Sequence, residues 1–284
     1  MLRKLFVTFC FVVFGVVSAV AQEAAQVYYS AEEMPDLLRI LPPPPDSTNS
    51  GFAHDMMRYI WGKSQRNDPE RSAVAIRDAE YSLNRIISEF SEPFGMSISF
   101  EETPEIYRLL RDFTATCDNI CVLPKNHYMR MRPFMMFHEH TITPNKEEEM
   151  VRNGSYPSGH TAYGWGVAMI LSEINPQRID TLMARGYMYG ESRVIVGAHW
   201  QSDVDAGYLA ASVLYTKLHT NPVFLDQMAK ARQEFADKTS LSSVNSASCR
   251  SESSSKVYNL SGIQLPQEPS KGIYIQSGKK YSAR

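Results

Sequence analysis

Apolar residues recur at three- and four-residue steps along most of the chain, the spacing of helices rather than strands. From about Gly51, the residues Phe52, Met56, Met57, Ile60 and Trp61 form one such stripe. A second segment, Arg71 to Phe90, carries Val74, Ile76, Ala79, Leu83, Ile86 and Ile87, and Ser91 to Gly95 breaks it. Thr103-Pro104-Glu105 opens a third helix, with Thr103 as N-cap and Pro104 at the first position. Ile106, Leu109, Leu110 and Phe113 line that helix, which is expected to run on through Cys117 and Cys121. Thr161 to Ile174 places Val167, Ile170, Leu171 and Ile174 on one face, Gly164 and Gly166 mark a close helix contact, and Asn175-Pro176 stops it. Gln177 to Tyr189 and Ser202 to Leu218 complete the set, the last opening on Ser202 and Asp205 as a capping box with Asp in place of Glu. Stripes of this kind fill a core, so the expected fold is all-α, a multi-helix bundle.

The flanks read differently. Residues 22–50 look irregular, and Pro42 to Pro45 is a polyproline stretch expected to lie over the domain surface. Beyond Asp237 the composition shifts to Ser with Asn, Ala and charged residues, read as a flexible linker. Val257-Tyr258-Asn259-Leu260 and Gly272-Ile273-Tyr274-Ile275 are then β-type runs set among Gly and Pro turn signals. At the start, Arg3 and Lys4 precede an apolar run from Leu5 to Val17, and Ala19-Val20-Ala21 is a small-x-small cleavage site. The expected division is a leader at 1–21, a helical domain at 22–237, a linker at 238–255 and a short β segment at 256–284. The leader's run is short for a membrane span of roughly 20 residues. With no later stretch apolar enough to cross a bilayer, the mature chain is expected to be soluble and exported.

Composition narrows the chemistry. The 284 residues are 43% hydrophobic with a formal charge of −2, and loss of Arg3 and Lys4 takes it near −4. That argues against a duplex nucleic-acid binder, which needs a basic face. Cys117 and Cys121 stand four apart, and a bridge or two buried free thiols both fit that spacing. His138-Glu139-His140 offers too few ligands for a metal and reads as a polar loop.

Three clusters carry reactive groups. They are Lys125 with Arg132-Pro133, Pro157-Ser158-Gly159-His160, and Ser192-Arg193 with His199 and Asp203. A phosphoryl group in transfer spreads charge over three oxygens, which Lys125, Arg132 and Arg193 can neutralise. Ser158, Gly159 and His160 open a helix whose N–H groups favour an anion. Asp203, one turn past His199, can accept from its Nδ1–H and leave Nε2 free to attack phosphorus. His160 can then protonate the leaving oxygen and activate water. Singly, each residue reads as an ion pair, a cap or a core polar group. Together and in order they form a phosphate site.

The pattern K-x6-RP, PSGH and SR-x5-H-x3-D resembles the type 2 phosphatidic acid phosphatase superfamily, with every fixed position filled. The stretches Gly154–Thr161, His127–Phe134, Leu41–Pro45, His199–Asp205 and His219–Pro222 are similar to the bacterial class A non-specific acid phosphatases, over roughly residues 30–236. The resemblance implies an all-α fold and metal-independent hydrolysis of small phosphomonoesters through a phosphohistidine. It implies His199 as nucleophile, Asp203 as its partner, His160 as acid, and Lys125, Arg132, Ser158, Gly159 and Arg193 as the phosphate cradle. A homo-oligomer and a periplasmic location are further expectations. The final residues resemble the end of a type IX secretion sorting domain, which implies export machinery as a partner and a cell-surface or secreted enzyme. Vanadate-dependent haloperoxidases share the motif and are the alternative enzyme; a non-catalytic phosphate-binding surface protein is the alternative outside enzymes.

Overall fold

A computed structural model describes residues 24–254 and, beyond them, 257–259, 264–265, 267, 269, 271–276 and 279–283; for 241–254 it describes the backbone alone. The leader expected at 1–21 lies outside the described residues. In chain order the helices are α1 Ser50–Gln65, α2 Pro69–Asp78, α3 Leu83–Phe94, α4 Pro104–Cys117, α5 Val122–Tyr128, α6 Pro133–Phe137, α7 Glu147–Met150, α8 Gly159–Ile174, α9 Ile179–Val196, α10 Gln201–Leu218 and α11 Pro222–Ser254. The fold is all-α, as the periodicity predicts, with a small sheet in the C-terminal segment.

The core forms around α8, which is apolar nearly all round and buries Ala162, Tyr163, Val167, Ala168, Ile170 and Leu171. α9 and α10 are its main neighbours, and α3, α4 and α11 close the other sides. Close approach needs bare backbone. A Cβ added at Gly166 would sit 2.1 Å from the Phe113 ring of α4, and one at Gly164 would sit 2.4 Å from the Tyr189 ring of α9. Phe90, Phe94, Ile106, Leu109, Leu110, Phe113 and Leu214 fill the space between the helices.

Several boundaries differ from the sequence reading. The segment expected from Arg71 to Phe90 is two helices. Asp78 is fully buried and held by Arg185 and Ser192 (Oγ 2.7 Å), so the chain turns there. Ser82 restarts it by accepting from the Arg85 N–H at 3.2 Å. α3 then runs through Ser91–Phe94 to a left-handed Gly95. In α1 the apolar stripe is split: Met57 and Ile60 are 62% and 63% exposed, Phe52, Met56 and Trp61 are half-buried, and Asp55, Tyr59 and Gly62 face in. Asp55 wins the inner face because it accepts from Ser202 N (2.8 Å) and Oγ (2.6 Å). Thr103 occupies the N-cap of α4 without a side-chain capping bond; Glu234 of α11 accepts from the N–H groups of Glu105 and Ile106 instead, at 3.2 and 3.0 Å. At α10 the capping carboxylate is Asp203, not Asp205, and it accepts from Trp200 N at 2.8 Å.

Two strips tie the surface down. The Pro42 carbonyl accepts from Tyr156 Oη at 2.6 Å and that of Pro45 from Arg130 at 3.0 Å, so the polyproline stretch is fastened over the bundle. Gln26 N donates to Asp112 on α4 at 3.0 Å, and Gln227 of α11 donates to the same carboxylate at 2.8 Å. Tyr28 packs edge-on against Phe224 and its hydroxyl donates to Gln227. α11 continues through Ser254, so the Ser-rich stretch read as a flexible linker has helical backbone. A helix already anchored by Phe224, Met228 and Ala231 extends through Ser at only a few tenths of a kcal/mol per residue. Beyond it, β1 Val257–Asn259, β2 Gln264–Leu265, β3 Gly272–Gln276 and β4 Lys279–Ala283 form an antiparallel sheet in the order β2-β1-β3-β4, the β character expected there. Cys117 and Cys121 are buried free thiols around a 3-10 turn.

Candidate active site

Four helix termini converge on one cavity. Lys125 stands on α5 and Arg132 directly before Pro133 of α6. Ser158 caps α8, and Gly159 and His160 are its first residues. α9 runs past the expected Tyr189 to Val196, which puts Arg193 in its last turn; Gly197, at φ 89°, then swings the chain so that His199 precedes α10. Lys125, Arg132, Gly159, His160, Arg193 and His199 line one cavity of about 270 Å³, together with Tyr81, Asp118, Glu149, Met150 and Asn153. Asp203 lies behind His199.

Ser158 is tied into the scaffold as well. Its Oγ accepts from Thr161 N at 3.3 Å and from Thr161 Oγ1 at 2.9 Å, and its N–H donates to the Asp203 carbonyl at 2.9 Å. That N–H is therefore committed to joining α8 to α10, and Ser158 is not among the cavity-lining residues.

The tautomers of both histidines follow from their partners. Arg132 Nη1 is 3.0 Å from His199 Nε2. A guanidinium only donates, so Nε2 carries a lone pair and the neutral ring's proton is on Nδ1. Nδ1 lies 3.4 Å from Asp203 Oδ2 and 3.3 Å from Ser155 Oγ, whose hydroxyl donates to the same oxygen. Arg130 donates to Asp203 Oδ1 at 2.6 Å. Asp203 thus has donors on both oxygens and stands beside His199 Nδ1. Nε2 is not free, however: it accepts an Arg132 N–H. His160 Nε2 lies 3.3 Å from the Ala79 carbonyl. A carbonyl only accepts, so Nε2 bears a proton and Nδ1 is the nitrogen left for a ligand. Tyr81 covers the ring at 4.5 Å.

The three cations are bound unequally. Lys125 Nζ donates to the Gly154 carbonyl at 2.8 Å. Arg132 donates to the carbonyls of Met150 (2.8 Å) and Ala198 (3.0 Å) and to Asn153 Oδ1 (2.6 Å). Arg193 is 2% exposed, yet its Nε and Nη1 have no partner among the described residues. Burial, aided by Arg132, pushes Lys125 down to about 8. Burial likewise pushes Arg132 and Arg193 to about 10. Burial, then Arg193 and His199, hold His160 well below the usual imidazole value; burial, then Arg132, Lys125 and Arg193, do the same to His199. All five shifts follow from positive charge gathered away from water, which an anion would relieve.

The sequence reading missed the support behind these groups. Arg130 bridges Asp203 and Asp55 (2.8 Å) and donates to Ser202 at 2.8 Å. It sits two residues from Arg132, inside a stretch already singled out, but at no fixed position of the motif. Asp55 had no signal beyond being an acid among apolar residues. His138, Glu139 and His140 lie outside the cavity lining, and Glu139 accepts from Tyr59 (2.8 Å) and Lys63 (2.7 Å).

Comparison with known proteins agrees with this geometry. The PAP2 superfamily matches residues 113–222, the stretch that holds all three clusters. The non-specific acid phosphatase of Providencia stuartii is 42% identical over 210 residues, 74% of this chain and 84% of that protein. The non-specific acid phosphatase of Salmonella typhimurium is 40% identical over 220 residues, 77% and 88% of the two chains. The acid phosphatase of Zymomonas mobilis is 34% identical over 222 residues, 78% and 84% of the two. With its fixed positions filled and most of its length matched, the chain belongs to the class A acid phosphatases of the PAP2 superfamily.

Proposed function

We propose that this phosphomonoester hydrolase works through a phosphohistidine at His199, without a metal ion. The observation that carries the reading is Arg193, a buried guanidinium with two unpartnered nitrogens lining the same cavity as both histidines. An unpaired buried charge is costly, and a bound phosphoryl group would satisfy it. Lys125 and Arg132 supply further positive charge, so the transition state needs none from a metal. His199 Nε2 attacks phosphorus while Asp203 and Ser155 take the Nδ1–H; the P–O bond to the leaving group breaks, and His160 Nδ1–H protonates that oxygen. His160, now neutral, takes a proton from water, whose oxygen displaces Nε2 and releases phosphate. His160 is held neutral by its surroundings, so its proton arrives with the substrate's negative charge. The substrate range is broad, and the leader and tail carry the enzyme out of the cell, to the periplasm or surface.

His199→Ala should lower turnover of p-nitrophenyl phosphate by roughly a thousandfold or more. Alkaline quench of the wild type with labelled substrate should trap phosphate on His199. A chelator should leave the rate unchanged. Undiminished turnover in His199→Ala would sink the mechanism. His160→Ala should slow poor leaving groups most; equal losses across leaving groups would count against its role as acid.

A further inference from the structure

The cavity is lined by two carboxylates as well as three cations, and the mechanism uses neither. Asp118 and Glu149 are exposed residues of its lining. Asp118 accepts from Tyr81 Oη at 2.7 Å, and among the described residues neither acid forms an ion pair. In the same lining, the buried Arg193, whose Nε and Nη1 have no partner among the described residues, marks where the anionic phosphoryl group goes. We infer that Asp118 and Glu149 sort substrates by the charge of the leaving group, favouring neutral and cationic groups and disfavouring a second anion; this rests on the phosphatase reading above.

The placement follows from the chemistry of departure. The leaving oxygen must lie beside His160, whose ring is covered by Tyr81, and Asp118 holds the Tyr81 hydroxyl. Asp118 Oδ1 lies only 3.3 Å from where a Cβ on Gly159 would sit, beside the start of α8. The leaving group therefore departs past Asp118. Glu149 precedes Met150, whose carbonyl binds Arg132 and whose sulfur lies 3.9 Å from Arg193, and it lines the same cavity. The phosphoryl group is drawn to the cations, and whatever it carries lies beside two negative charges. Two carboxylates about 6 Å from a charged substituent shift the choice between a cation and an anion by roughly tenfold after screening by salt.

The test compares 4-(aminomethyl)phenyl phosphate with 4-(carboxymethyl)phenyl phosphate at low ionic strength. The ammonium substrate should have the higher kcat/KM by about tenfold, and the ratio should fall towards one in Asp118→Asn with Glu149→Gln and in high salt. Both substitutions are at exposed positions, and Asn keeps an acceptor for Tyr81. Equal rates in the wild type, or a ratio unchanged in the double variant, would overturn the inference. If neither ester is hydrolysed, the phosphatase reading fails by itself. The Kd values of the matching benzylphosphonates then decide the charge sorting: tighter ammonium binding that the double variant loses supports it, and equal binding overturns it.

Discussion

Arg130 is where the site's chemistry depends on a residue that never meets substrate. Its guanidinium joins Asp203 to Asp55, and both acids are fully buried. Arg130→Met leaves two buried carboxylates without their shared cation, so unfolding free energy should fall by about 3–5 kcal/mol in urea denaturation. The folded fraction should also lose kcat, because Asp203 no longer has a donor on Oδ1. Wild-type stability in that variant would show that the bridge contributes nothing. This also marks how far residues could be read from sequence. Lys125, Arg132, His160, Arg193, His199 and Asp203 were legible because phosphoryl transfer demands those types, and they recur at spacings that leave little to chance. Arg130 and Asp55 were not, since an ion pair across 75 residues has no periodic signature. That the Ser158 N–H meets the Asp203 carbonyl was not legible either, since a backbone N–H gives no hint in sequence of which carbonyl it will meet.

Helices were legible where a stripe met an apolar partner and illegible where polar bonding set the face. α4 and α8 follow their patterns, with Ile106, Leu109, Leu110 and Val167 fully buried. α1 turns Met57 and Ile60 of its stripe outward because Asp55 is bonded on the inside, and α9 outruns its expected end because Ser192 and Arg193 are buried despite being polar. Small residues in α8 were read correctly as contact points, and they set a quantitative expectation. Gly166→Ala drives a methyl group into Phe113, which is rigid and buried, so overpacking should cost about 1–3 kcal/mol. Adding Phe113→Leu should recover part of that loss in chemical denaturation. If Gly166→Ala alone has wild-type stability, α4 and α8 are less tightly fixed than their contact requires.

For the whole molecule, the site sets a pH dependence of stability. His160 and His199 are held below the usual imidazole value, so below about pH 6.5 the unfolded chain binds more protons than the folded one. Their stabilising effect is therefore full above that pH and is lost as pH falls towards the folded-state values. A tetrahedral anion works the other way, by bringing negative charge to the cations that depress them. The melting temperature should drop between pH 7 and pH 5, and millimolar sulfate should shrink the drop. Arg193→Met should abolish the sulfate effect; a sulfate effect of unchanged size in that variant would count against the site as its origin. The architecture at this scale was partly legible. The helical domain and the β segment followed from composition and period, while the helical continuation of α11 did not, because an anchored helix extends through Ser for little free energy.

One consequence reaches beyond the site. The start of α4 is capped by Glu234, and its Asp112 is shared between Gln26 and Gln227. On the ribosome, Glu105 is made 129 residues before the carboxylate that completes it. α4 therefore waits with open donors at its first turn until α11 is made. A chain cut before Gln227 would retain all eight of the site residues read from the motif yet lack the piece that locks their scaffold.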